Sequence, residues 1–411
     1  MKALCTCFSK TPRLVRINLS SNHIGPDGAR ALSVALPELR ELEWLNLMSN
    51  NVGLDAIESI APFLPVDFSL NSNVESNDTT TARWLRNTKS PRKIWFSGNA
   101  AMGQDSIRAL AQDLPFVSSS LQFLDISNNA VGEQGAKHLA NYLHTLSNLE
   151  SFAISQNELG SIGVMLIMKS LSRLSSLRCL SLCEEKLNAT GAGYLGEGLS
   201  SMGHLEELNL FACSMGVDGV KSLSLGLRKC CSLRVLKLSF AHILDNGMKV
   251  MCTEVFPKLI NLVHLELQWN GLTRDSASYL SDSINRSDCL SRLETLNLGW
   301  NRIGHQGARY LASGLNRMHS IRDLCLDATA IGPTGLQCLT QPLSELSNLH
   351  TLSLARCALG DEGLLNLTMS GHLGRLSKHL RRLDLRSNLI SLDCKKSLDA
   401  CLRGHVPTLL V

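Results

Sequence analysis

The feature that most constrains this chain is a pattern that returns about every 28 residues. Clear copies of L-x-x-L-x-L-x-x-N-x-[IVL]-G, each followed by a polar break and a helical pattern, begin at Leu14, Leu42, Leu121, Leu149, Leu177, Leu205, Leu233, Leu262, Leu293, Ile321, Leu349 and Leu380. Two degenerate copies, around 68–73 and 94–99, fill the gap. The closing residues are Asn22, Asn50, Asn73, Asn99, Asn129, Asn157, Glu185, Cys213, Ala241, Asn270, Asn301, Thr329, Cys357 and Asn388, mostly 28 apart with excursions from 23 to 31. Periodic self-similarity of this kind overrides any domain count taken from length.

Local rules turn each copy into a strand and a helix. The L-x-L core alternates with period two, so its leucines share one strand face. The half that follows reads like 134–143 QGAKHLANYL or 306–315 QGARYLASGL, with apolar residues at three- and four-residue spacing and hence one buried helical stripe. A glycine such as Gly132 or Gly304 joins the two. No copy buries both faces alone, so the copies must stack. Strands need about 4.8 Å per neighbour and helices about 8–10 Å. The expected fold is therefore an α/β solenoid of about 14 repeats, a horseshoe with a parallel sheet on the concave face and helices on the convex face. The closing asparagine can serve a backbone donor and an acceptor at once, so looser turns are expected at Glu185, Cys213 and Ala241, which lack it.

This unit, with Asn or Cys at its close and a full helix after it, resembles the ribonuclease-inhibitor class of leucine-rich repeats. The likeness runs from 14 to about 403. It implies the solenoid fold, and it is shared with the sensor arms of NOD-like receptors and with Ran GTPase-activating proteins. Repeat lengths that do not alternate argue against a true ribonuclease inhibitor, and no acidic tail of the Ran GTPase-activating kind follows. The expected organisation is a short N-terminal cap at 1–13, one repeat domain at 14–403 with degenerate repeats within 65–103, and a C-terminal tail or cap at 404–411. Phe8 and Leu4 are the residues available to cover the first repeat, and the closing LLV is expected to fold back on the last. The Asn-, Ser- and Thr-rich stretch 70–93 reads as a damaged repeat with a loose loop or, alternatively, as an excursion that adds to a binding surface; a protease nick at 76–81 that leaves partner binding intact would favour the loop.

Composition removes several function classes. A formal charge of +4 on 411 residues, with no Lys/Arg run longer than two, gives no footprint for nucleic acid or an anionic membrane. No apolar stretch approaches the roughly 18 residues of a membrane span. Fourteen cysteines without an export signal point to reduced thiols and to the cytoplasm or nucleus. Phosphate-loop, zinc-protease, C-x-x-C and G-x-S-x-G patterns are absent. Cys179 and Cys183 share a strand face but stand roughly 13 Å apart, too far for one metal ion. No catalytic residue, metal or cofactor is expected.

What remains is the strand face, where the third, fifth, seventh and eighth positions of each copy point outward. Aromatics occupy several of them: Trp44 and Phe123 at the third, Trp95 at the fifth, Phe211 at the seventh, and Phe240, Trp269 and Trp300 at the eighth position of three consecutive copies. The repeat requires nothing of that eighth residue. Consecutive copies should line the last three up as a ridge, and exposed aromatics are typical of binding hot spots. Glu266, Asp323 and Asp327 lie at outward positions in the same segment, while basic ones such as Arg356, Arg382 and Arg386 lie elsewhere. The expectation is a monomeric, non-catalytic scaffold that binds a protein partner with basic and apolar features. The alternatives that the resemblance implies are a GTPase activator acting on a small GTPase and the sensor arm of a NOD-like receptor.

Overall fold

The structure, a computed structural model, describes residues 2–74, 83–369, 371–402 and 406–411. The loop expected at 76–81 lies outside the described residues. The chain forms two compact units, Met1–Lys186 and Leu187–Val411.

Among its described residues the first unit carries seven three-residue strands: β1 Arg16–Asn18, β2 Trp44–Asn46, β3 Asp67–Ser69, β4 Lys93–Trp95, β5 Phe123–Asp125, β6 Ser151–Ala153 and β7 Cys179–Ser181. They pair in parallel and in chain order, with Ile17, Leu45, Phe68, Ile94, Leu124, Phe152 and Leu180 in one register row. That row is buried, as the L-x-L alternation requires. The chain enters through a helix, Lys2–Phe8, whose Phe8 is buried while Leu4 stays exposed. In the degenerate stretch a one-turn helix, Trp84–Asn87, takes the place of a full one. The Trp84 side chain fills the core there, its ring 6.0 Å from Phe68 and 5.1 Å from Phe96.

The second unit carries β8 Glu207–Asn209, β9 Val235–Lys237, β10 His264–Glu266, β11 Thr295–Asn297, β12 Asp323–Cys325, β13 Thr351–Ser353, β14 Arg382–Asp384 and β15 Thr408–Leu410. These too are parallel and sequential, with Leu208, Leu236, Leu265, Leu296, Leu324, Leu352, Leu383 and Leu409 in register. The closing apolar residues thus add one more strand to the sheet. Helices follow the strands at the expected spacing: in Gly304–Leu315 the buried residues are Gly307, Ala308, Leu311, Gly314 and Leu315. Two helices, Ala189–Leu199 and Gly216–Leu227, touch backbone to backbone, for a Cβ on Gly226 would fall 1.9 Å from the Gly196 carbonyl oxygen.

The turn after each strand contains two corrections to the sequence reading. In all fourteen copies the residue before the closing position is left-handed, with φ of 57° at Ser21, 54° at Asn128, 58° at Phe240, 56° at Trp269, 57° at Trp300 and 56° at Arg356. The repeat therefore does make a demand there. A left-handed backbone is cheap for Gly and tolerable for Asn, whereas a bulky residue there is a genuine outlier.

The second correction concerns Glu185, which does not loosen its turn. Asparagines work here by reaching across copies: Asn129 Oδ1 accepts from the Asn99 amide (2.8 Å), and its Nδ2 donates to the Phe96 and Ile126 carbonyls (2.8 Å each). The relay runs from Asn22 through Asn50, Asn73, Asn99, Asn129 and Asn157. It ends on the Glu185 carboxylate, which accepts from the Asn157 amide at 2.6 Å and the Leu159 amide at 2.9 Å. A carboxylate has two acceptor oxygens, so it can fill the acceptor half of the asparagine's role.

Candidate partner-binding site

The aromatic ridge is built by the turn. Phe240, Trp269 and Trp300 each donate their backbone amide to the next copy, to the carbonyls of Gln268 (2.9 Å), Gly299 (3.3 Å) and Asp327 (2.6 Å). Immediately behind them Ala241 donates to Asn270 Oδ1 and Asn270 to Asn301 Oδ1, both at 3.0 Å. Asn301 in turn donates to the Leu267 and Leu298 carbonyls at 2.9 Å. Each ring thus stands one residue before a buried, hydrogen-bonded amide, and its direction is set by the left-handed backbone of the residue that bears it.

The rings form one continuous stack. Phe211 meets Phe240 edge-on at 5.4 Å between centroids. Phe240 stacks on Trp269 at 5.2 Å with 19° between planes, and Trp269 on Trp300 at 4.4 Å with 11°. The Arg356 guanidinium closes the far end, 5.4 Å from the centre of the Trp300 ring. Trp269 and Trp300 remain 42% and 37% exposed, a large share for indoles that already stack. Parallel rings cover one another's faces and leave their edges to solvent.

Most acids around the stack are already engaged. Glu266 bonds His264 at 2.7 Å, and that hydrogen bond, aided by the imidazole's and Lys237's charge against the opposing effect of burial, holds its carboxyl below the usual range. Glu207 pairs with Lys237 at 3.0 Å. Asp327 Oδ1 accepts from the Ser353 hydroxyl (2.6 Å) and the Ala355 amide (2.8 Å), tying two copies together. Burial pushes the Asp384 carboxyl up, but hydrogen bonds from Arg386, the nearest at 2.6 Å, outweigh it and bring the group below its ordinary value. Asp323 is the expected site acid whose side chain has neither a hydrogen bond nor an ion pair among the described residues. It begins β12, about 13 Å along the strand from Asp327 and the level of the rings.

The ten expected site residues therefore fall into separate groups. Phe211, Phe240, Trp269 and Trp300 are in contact along the stack; Glu266, Asp323 and Asp327 belong to the same unit but do not converge on one point. Trp44, Trp95 and Phe123 lie in the first unit, where Trp95 and Phe123 meet at 4.8 Å and Arg16 sits 5.3 Å over Trp44. Arg356 was missed as part of the ridge. Its signal was available, since it occupies the same eighth position two copies after Trp300, and the intervening residue, Ala328, is small enough to be reached across. Among the described residues no cluster of three His, Cys, Asp or Glu could hold a metal, and no helix is long and apolar enough to cross a membrane.

Comparison with known proteins agrees with this architecture. The leucine-rich repeat family model matches residues 13–33, 117–140, 203–224, 229–252, 291–312 and 345–367. Among solved structures, a chain in the crystal structure of the Rad7 and Elc1 complex in yeast aligns over 100% of this chain and 87% of its own, with a TM-score of 0.52 and 18% sequence identity. A likeness at that identity speaks for the fold alone. A search of curated proteins finds no significant match.

Proposed function

We propose that this chain, a leucine-rich repeat protein built for protein interaction, is a non-catalytic recognition module that holds its partner against the aromatic stack of the second unit. The observation that carries the proposal is the placement of Phe240, Trp269 and Trp300 on the left-handed residue of three consecutive copies, with both tryptophans exposed. A left-handed backbone costs an L-residue about 1–2 kcal/mol, and a stacked pair returns about 0.5–1.5 kcal/mol. Stacking offsets only part of that cost over three positions, which leaves the exposed share of the indoles without a reason in the fold. Binding supplies one, because rigid, partly exposed tryptophans are the residues whose truncation most often costs a complex 2 kcal/mol or more.

The engagement of most nearby carboxylates in internal contacts supports a non-catalytic role. All fourteen cysteines are thiols, which supports a reducing compartment such as the cytoplasm. The 28-residue spacing with full helices supports the ribonuclease-inhibitor class. The test is capture from cell lysate by the wild-type chain and by a Trp269→Ala/Trp300→Ala variant, compared by mass spectrometry. Loss of a defined set of proteins from a variant that keeps its circular dichroism is the expected result. An unchanged set contradicts the proposal.

A further inference from the structure

Resting on that reading, we infer that the partner presents a carboxylate beside apolar side chains in an extended segment, and not the basic surface that the sequence suggests. Three observations combine. The first is the polar inventory of the stack. The Trp269 and Trp300 indole N–H groups have no acceptor among the described residues, and the exposed Arg356 guanidinium has no carboxylate within ion-pair distance. All of these groups donate and none accepts. A partner that desolvates them must bring acceptors, since a buried donor left unpaired loses affinity.

The second observation concerns the faces of the rings. A cation is drawn to a ring face. Here the facing surfaces of Phe240, Trp269 and Trp300 cover one another, and the Arg356 guanidinium lies over the remaining Trp300 ring. The rims that point outward carry the positive side of the ring quadrupole. An approaching lysine or arginine finds those rims and a like charge at the end of the row.

The third is the state of the nearby acids. Glu207, Glu266, Asp327 and Asp384 are committed to Lys237, His264, Ser353 with Ala355, and Arg386 respectively. Asp323, the unengaged one, is set back along β12. The successive spacings from Phe211 to Arg356, 5.4, 5.2, 4.4 and 5.4 Å, cover roughly 20 Å, which an extended chain spans in about six residues at about 3.3 Å each. The apolar side chains would lie along Phe211 to Trp300, and the carboxylate would reach Arg356.

The test uses labelled ten-residue peptides, acetylated and amidated so that side chains carry all the charge. Leu alternates with Ser, and two polar positions at one end or the other are Asp, Lys or left as Ser. Binding is read by fluorescence anisotropy at low salt on the whole chain. The Asp peptide should bind about tenfold tighter than the Ser and Lys peptides, as one charge-assisted contact implies. Arg356→Gln should abolish that preference while leaving the Ser peptide unaffected, and Trp269→Ala/Trp300→Ala should weaken every peptide. Tighter binding of the Lys peptide, a preference that survives Arg356→Gln, or no binding by any peptide overturns the inference but leaves the ridge as partner site to be judged by lysate capture. Peptide binding that ignores the double tryptophan substitution overturns the ridge reading itself.

Discussion

In the first unit the relay of side-chain amides passes from Asn22 to Glu185 without a gap. In the second it appears in pieces, Ala241–Asn270–Asn301 and Cys357–Asn388. Between the pieces, Thr329 gives its hydroxyl to the Leu326 carbonyl and so takes over the donor part of the amide's work. The same backbone turn is kept in both units, with the same left-handed residue before its close. What differs is the side chain on that residue: Ser, Asn, Gln, Gly or Glu in the first unit, and a run of aromatics in the second. The unit with the more broken relay is also the one that carries three bulky rings at strained positions. The turn geometry thus belongs to the fold, whereas the choice of residue at its apex is free to serve recognition.

The largest expected effect comes from breaking the continuous relay. Asn129→Ala leaves the buried Asn99 amide without its acceptor, at about 1–3 kcal/mol, and takes one of two donors from each of the Phe96 and Ile126 carbonyls, which keep Asn99 Nδ2 and Asn157 Nδ2. It should lower stability by about 2–4 kcal/mol in urea unfolding. Thr329→Ala in the second unit, which removes the hydroxyl's bond to the Leu326 carbonyl and its contact with the Cys357 thiol, should cost only about 1 kcal/mol. Equal losses would mean that the two relays do the same work.

A smaller effect separates Glu185 from the asparagines that it replaces. Burial raises its carboxyl above the ordinary value of 4.5, and the amides of Asn157 and Leu159 pull it down without cancelling that effect. A raised acid binds its proton more readily folded than unfolded. The stability this gives the wild type is therefore complete below 4.5 and is lost as pH rises through the raised value. Glu185→Gln removes the charge and restores an amide donor, so it should stabilise by about 1 kcal/mol at pH 7. The advantage should shrink as the pH is lowered; an advantage that grows in acid would reverse the assignment.

The smallest expected effect is a gain. Leu244 occupies the position that glycine holds in most copies, with φ of 53° and a side chain 45% exposed. Its amide makes the same bond, to the Asn270 carbonyl at 3.0 Å, that Gly304 makes to Thr329 at 2.9 Å. Leu244→Gly relieves a left-handed penalty of about 1–2 kcal/mol against a smaller loss of unfolded-state restriction. The midpoint of thermal unfolding should rise by a few degrees, and a fall would show that the leucine packs usefully.

The repeat, its strands, its helices and the row of aromatics were legible because each follows from spacing alone. The left-handed apex was legible only in hindsight, through the small or polar residues Ser21, Ser49, Ser72, Gly98 and Asn128, because a period-two strand pattern carries no information on φ. The state of the acids was not legible at all. Their partners lie one copy away, as with Lys237 and Glu207, or two residues along a strand, as with His264 and Glu266, and the side-chain directions that decide such pairings are set by the stacking of copies. For that reason Glu266 and Asp327 read as a partner's counter-charges in the sequence and as internal contacts in the fold.

The tryptophans themselves allow the most direct test, since Trp44, Trp84 and Trp95 belong to the first unit and Trp269 and Trp300 to the second. With 5-fluorotryptophan incorporated and each signal assigned by a Trp→Phe variant, fluorine NMR follows all five as the captured partner is added. The account predicts that the Trp269 and Trp300 signals shift while those of Trp44, Trp84 and Trp95 stay in place. A complex that moves Trp44 or Trp95 and leaves Trp269 and Trp300 unchanged would contradict it.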